Sequence, residues 1–147
     1  MAVSSSTARA ARVDYAALAS FRYEIRRFLR VSEDAARRAG LEPQQHQLLL
    51  VLKGMPRDID PTVAHLAERL QLQHHSVVGL VDRLEARELV RRERDENDHR
   101  RALVSLTRDG EAVLHRLSVE HQDEIRSRAA ALISSMAAIV RATPARR

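Results

Sequence analysis

No stretch of this chain constrains the fold as tightly as residues 60–107, where the spacing of apolar side chains changes from a helical period to strict alternation. Asp60 and Pro61 read as an N-cap and a first-turn proline opening a short helix through Val63, Leu66, Ala67 and Leu70. After a brief connection at Gln71 and Leu72, a second helix over residues 73–87 carries Val77, Leu80, Val81 and Leu84 on one face. Two short helices joined by a tight turn make a helix-turn-helix unit. Past Glu88, Leu89 and Val90 lead into Arg91 to Arg94 and the polar segment DENDH. Ala102, Val104 and Leu106 then alternate with Arg101, Leu103 and Ser105. That order predicts strand, turn and strand.

Long helices flank this unit. From Tyr15 to Ala39 the residues Leu18, Phe21, Ile25, Phe28, Leu29, Ser32, Ala35 and Ala36 recur at helical spacing, and Gly40 supplies the stop. Pro43 suits the first turn of a helix carrying Leu48, Leu49, Leu50, Val51 and Leu52, a run apolar nearly all round and therefore expected to be buried. Thr107 is the expected N-cap of a final helix through Val113, Leu114, Leu117, His121, Ile125, Leu132, Ile133 and Met136. The fold class that follows is mainly α with a small β-hairpin wing (α+β), a winged helix-turn-helix. The expected organisation is a flexible arm over 1–12, one domain over 13–140 and a frayed tail over 141–147. Within the domain, 13–40 and 108–140 are the long helices and 44–107 the winged lobe.

Composition narrows the chemistry. At 147 residues the chain suits one domain, and its lack of cysteine removes disulfides, thiolate metal ligands and thiol redox chemistry together. No run approaches the roughly 18 apolar residues of a membrane span, and MAVSSSTARAARVD has no apolar secretory core, so a cytoplasmic location is expected. The seven histidines include no HExxH pair. His74 and His75 are adjacent, and His115 and His121 are six apart, so neither pair chelates from one helix face. With four glycines there is no phosphate loop. Glu33 with Asp34 and Glu93 with Asp95 sit among arginines and read as solvated ion-pair surface. No catalytic, cofactor or metal site is expected. The excess of 25 Lys+Arg over 20 Asp+Glu, a net charge of +5, suits a polyanion such as DNA, though arginine-rich coding bias produces the same excess.

Burying Val77, Leu80, Val81 and Leu84 leaves His74, His75, Ser76, Val78, Gly79 and Arg83 on or near the opposite face of that helix. A major groove admits one helix, and serine, histidine and arginine bond base edges or phosphates. In RRERDENDHRR, Asp98 can accept hydrogen bonds that stiffen the turn, leaving Arg100 or Arg101 at the tip to enter a minor groove. A solvated helix surface and a solvated charged hairpin remain open alternatives.

The stretches LLLVL, TVAHLAERL, SVVGLVDRLEARELV and NDHRRALVSLT resemble the MarR family of multiple antibiotic resistance regulators from about Leu18 to Met136. Asp98, His99 and Arg100 look like that family's Asp-x-Arg wing signature, and Leu106 to Gly110 like its LT-x-x-G step. The resemblance implies a homodimer whose first and last helices form the dimerisation region, bound to double-stranded DNA. It further implies a repressor released by a small ligand, often aromatic or phenolic, in a pocket between the first two helices and the base of the lobe. Arg22, Arg26, His46 and Gln47 are candidates to hold such a carboxylate or phenolate. Ordinary surface charges and a core histidine are the alternative for these four. Without cysteine, the chain departs from the peroxide-sensing branch. A sequence-tolerant architectural DNA-binding protein would use the same basic surface without an inducer.

Overall fold

A computed structural model describes residues 13–142. The arm expected over 1–12 and the end of the tail, 143–147, lie outside the described residues. In chain order the elements are α1 (Tyr15–Arg38), α2 (Pro43–Lys53), α3 (Val63–Leu70), α4 (His74–Ala86), β1 (Val90–Arg94), β2 (Ala102–Leu106) and α5 (Arg108–Ala142). Arg141 and Ala142, expected to fray, are the last two residues of α5. The described residues form two compact units, one of residues 13–30 with 124–142 and the other of residues 31–123.

In the second unit three helices end in the same way. Gly40 at φ +76°, Gln71 at φ 54° and Glu88 at φ 57° each adopt the left-handed conformation. At each end the next N–H closes a loop to the carbonyl five residues back: Leu41 to Ala36, Leu72 to Ala67 and Leu89 to Leu84. This closure satisfies carbonyls that a helix end otherwise leaves bare and turns the chain sharply. Only the first of the three uses glycine.

The core gathers Leu48 and Leu49 of α2, Leu66 and Ala67 of α3, and Val77, Leu80, Val81 and Leu84 of α4. Leu89, Val90, Val104, Leu114 and Leu117 join it from the hairpin and α5, and Ala35, Ala36 and Leu41 from the end of α1 and the turn after it. The expectation that α2 is buried all round is corrected. Leu48 and Leu49 are fully buried, but Leu50 is 43% exposed, because a helix lying on one side of a lobe turns the side chains at intervals of three or four, here Gln47, Leu50 and Lys53, away from it. The start of α3 is also corrected. Its N-cap is Thr62, whose Oγ1 accepts from the His65 N–H at 3.3 Å. Pro61 and Thr62 are held extended against β2, Thr62 bridging Leu103 and the Val104 N–H donating to the Pro61 carbonyl, so the helix cannot begin at Asp60.

β1 and β2 pair antiparallel with Val90 opposite Leu106, Arg92 opposite Val104 and Arg94 opposite Ala102. Where the hairpin passes into α5, Thr107 joins three segments. Its Oγ1 donates to the Glu88 carbonyl at 2.6 Å and accepts from the Gly110 N–H at 3.1 Å, and its own N–H donates to the Leu89 carbonyl. Gly110 is buried so closely against this turn that a Cβ there would stand 2.0 Å from the Leu89 carbonyl oxygen.

In the first unit, Asp14 caps α1 through the Ala17 N–H, and Arg128 of α5 lies between Glu24 of α1 and Glu124. Tyr15, Ile133 and Val140 are large apolar side chains 77%, 65% and 72% exposed, with Val13, Leu18 and Met136 also exposed. Among the described residues no helix is long and apolar enough to cross a membrane.

Gly110→Ala tests the turn between Leu89 and α5. In an ordinary helix interior this substitution stabilises by roughly 0.5–1 kcal/mol. Here the added methyl meets main chain, and a loss of about 1–3 kcal/mol is expected from overpacking, read as a lowered thermal midpoint at fixed protein concentration. An unchanged or raised midpoint would contradict the contact.

Candidate nucleic-acid interface

The rotation of α4 is set by four side chains. Val77, Leu80, Val81 and Leu84 are each at most 1% exposed, which turns the other side of the helix outward. Of the residues expected there, His74, His75 and Arg83 are exposed and Ser76, Val78 and Gly79 half-buried. Arg83 folds back so that its Nη1 lies 3.3 Å from where a Cβ of residue 79 would be, so the glycine leaves room for the guanidinium. Asp82 belongs to the same outward face, at helical spacing from His75, Gly79 and Ala86, and the same period could have found it. At the N-terminus, Gln73 is extended and gives no side-chain cap, its carbonyl accepting from the Ser76 and Val77 N–H groups at the positive end of the helix dipole.

The start of α3, the first residue of α4 and the end of the wing line one groove. It is formed by residues 62–65, His74, and Arg100 to Ala102. His74, Arg100 and Arg101, distant in sequence, therefore share one concave surface. His65, which sequence reasoning passed over, contributes an imidazole whose Nδ1 lies 2.7 Å from the Asp60 carbonyl oxygen and therefore donates to it.

The two wing-tip arginines differ. Arg100 has a side chain 94% exposed, and Asp98 Oδ1 accepts from its backbone N–H at 3.1 Å and from its Nε at 3.4 Å. Arg101 is tied down: Nε donates to Asp95 Oδ2 at 2.6 Å and Nη2 to Asp60 Oδ2 at 2.6 Å. Asp95 is 5% exposed, which corrects its reading as solvated surface. The Asn97 N–H, then the Arg101 guanidinium, hold its carboxyl below the usual carboxylate range. The base of the wing carries a comparable pair, where Arg92 of β1 meets Glu85 and Asp82 of α4.

The four ligand candidates fall in both units. Arg22 and Arg26 are exposed on the part of α1 that belongs to the first unit. In the second, His46 is 1% exposed while Gln47 is exposed, so these neighbours occupy different faces of α2. The His46 ring lies 4.6 Å from that of His121 of α5, and both of its nitrogens lack a hydrogen-bond partner. Burial, and secondarily His121, push its pKa down to about 4. Among the described residues no three His, Cys, Asp or Glu side chains converge to hold a metal ion.

Residues 39–101, which include α2 to β1 and the wing tip, match the model of the MarR family. Similar solved structures include the Staphylococcus aureus MepR–DNA complex, 21% identical with a TM-score of 0.66, covering 80% of this chain and 83% of that one. AbsC, a MarR family transcriptional regulator from Streptomyces coelicolor, is 21% identical with a TM-score of 0.65 over 76% and 75%. CouR from Rhodococcus jostii RHA1, bound to p-coumaroyl-CoA, is 24% identical with a TM-score of 0.58 over 67% of each chain. At these identities the likeness is one of fold, and it is the winged helix expected from the sequence. A search of curated protein sequences finds no match.

The buried histidine makes stability depend on pH. The ordinary pKa of 6.5 applies to His46 in the unfolded chain and about 4 in the folded one. As the pH falls below about 6.5 the unfolded chain takes up a proton that the folded chain refuses, so stability complete above that pH is lost progressively toward pH 4. Thermal midpoints measured from pH 7.5 to 4.5 are expected to fall, and to fall less steeply for His46→Leu. Equal slopes would contradict the assignment.

Proposed function

We propose that this chain is a transcriptional regulator of the MarR family, whose model matches residues 39–101, and that it is a sequence-specific repressor that a small ligand releases from DNA. The observation that carries the proposal is the groove that joins His74 with Arg100 and Arg101 beside the outward face of α4. A helix with outward His75, Gly79, Asp82 and Arg83 suits a major groove. Arg100, with its guanidinium in solvent, suits the negative potential of the adjacent minor groove. Ser76 and Val78 flank the outward face, and Asp98 braces the turn that presents Arg100. Arg101 serves by holding the hairpin to Asp60 and Asp95.

The working form is a homodimer. Exposed Tyr15, Ile133, Met136 and Val140 in the first unit are the apolar surface that favours it, since such side chains otherwise stay in water. A two-fold dimer presents two copies of α4 to a pseudo-palindromic site with half-sites roughly 34 Å apart. The ligand is an aromatic or phenolic anion, which the exposed cations Arg22 and Arg26 of the first unit suit, whereas buried His46 and exposed Gln47 lie on different faces of α2 and do not meet one ligand together. CouR, a protein of the same fold, binds the aromatic thioester p-coumaroyl-CoA. The ligand acts by favouring an arrangement of the dimer that misfits the half-site spacing. The regulator works in the cytoplasm.

Affinity for a fragment from the protein's own promoter, compared with random DNA at one fixed salt concentration, tests the specificity. A ratio well above one is expected, and a ratio near one would instead indicate sequence-tolerant architectural binding. Arg100→Ala should weaken binding to that fragment several-fold, with the dimer intact in sedimentation, because it removes a wing contact and no core packing. Unchanged affinity would show that the wing is not engaged.

A further inference from the structure

On β1, Arg92 is the cation that pairs with carboxylates of α4 among the described residues. Val90 is buried in the core, and two residues on, with the strand's alternation, Arg92 projects to the same side of the hairpin. There Nε and Nη2 donate to Glu85 Oε2 at 3.0 and 2.8 Å, Nη2 also reaches Asp82, and the Arg92 N–H donates to Glu85 Oε1 at 3.1 Å. One residue of the wing thus grips two carboxylates on successive turns of the helix proposed to read DNA. Arg91, pointing the other way, pairs instead with Glu93 and Ser105 within the hairpin.

We propose that Arg92 is a positioning residue, which fixes the wing against α4 and so decides whether Arg100 reaches the DNA. The proposal rests on the reading of α4 and the wing as one DNA-binding surface. The guanidinium is suited to this role by its planar fork, which spans both carboxylates where a lysine ammonium would give one point of attraction. Its charge also offsets Asp82, which is 53% exposed on the outward face of α4 and would otherwise oppose a phosphate there. Opposite Arg92 in the register stands Val104, 1% exposed, so the clamp sits where the hairpin is anchored in the core and not at its free end.

The clamp can be broken from either side with opposite effects on charge. Arg92→Ala removes a cation, whereas Glu85→Ala removes an anion and keeps a good helix former in α4. If these residues acted on DNA only through their charge, the first change would weaken binding and the second would strengthen it. As a clamp, both changes weaken binding to the promoter fragment, each at least as much as Arg100→Ala, and Arg92→Lys recovers only part of the loss. Each is also expected to be non-additive with Arg100→Ala: once the wing is misplaced, removing its tip costs little more. Melting curves for every variant establish that the lobe is folded. Tighter or unchanged binding by Glu85→Ala, or losses that simply add to that of Arg100→Ala, would overturn the clamp while leaving the DNA-binding reading in place. A wild-type protein without affinity for the fragment, or an Arg100→Ala variant without effect, would overturn both.

Discussion

The structure of the lobe depends on one constraint, the burial of Val77, Leu80, Val81 and Leu84 along a single stripe of α4. Fully burying an aliphatic side chain of this size stabilises by roughly 1.5–3 kcal/mol, so four of them resist rotation of the helix about its axis. Turning α4 by one residue would bring His75 or Asp82 toward Leu48, Leu49 and Leu66 and leave an apolar side chain in water. What α4 shows to solvent is therefore dictated from inside. The exits from α3 and α4 through left-handed Gln71 and Glu88 then place the connection before α4 and the wing after it without any glycine at either turn.

Electrostatics divides the wing arginines into two groups that their sequence does not distinguish. Arg92 and Arg101 are engaged by carboxylates from α4 and from the loop before α3, while Arg100 pairs with Asp98 of its own turn and keeps a side chain 94% exposed. Holding a hairpin by its base and one arm while leaving one tip cation exposed is an arrangement suited to insertion into a groove. The strand, turn and strand were legible from alternating residues, because a two-stranded ribbon with one buried face enforces a period of two. The fate of each arginine was not legible, because the partners Asp60, Asp82 and Glu85 come from other elements.

The same distinction explains the remaining differences. Helix ends were readable wherever a local device sets them, as at Gly40, Pro43 and Thr107. The start of α3 was not, because the chain at Pro61 and Thr62 is held by β2, a pairing with a segment some forty residues away. The one-sided exposure of α2 at Leu50 and the approach of His46 to His121 likewise depend on which helices flank it. Asp82 falls on the same helical period as His75 and Gly79, and only its acceptor chemistry sets it apart from the donors and cations of that face. Asp95 was read as solvent-exposed although the turn folds Asn97 and Arg101 onto it.

The central claim is that α4 and the wing contact DNA together, one in the major groove and the other in the adjacent minor groove, twice per dimer. Hydroxyl-radical footprinting on promoter DNA tests it most directly. Two protected segments separated by about one helical turn on one face of the duplex, each with a protected flanking minor groove that opens in Arg100→Ala, are the predicted result. Uniform protection along the fragment, or a footprint unaltered by Arg100→Ala, would contradict it.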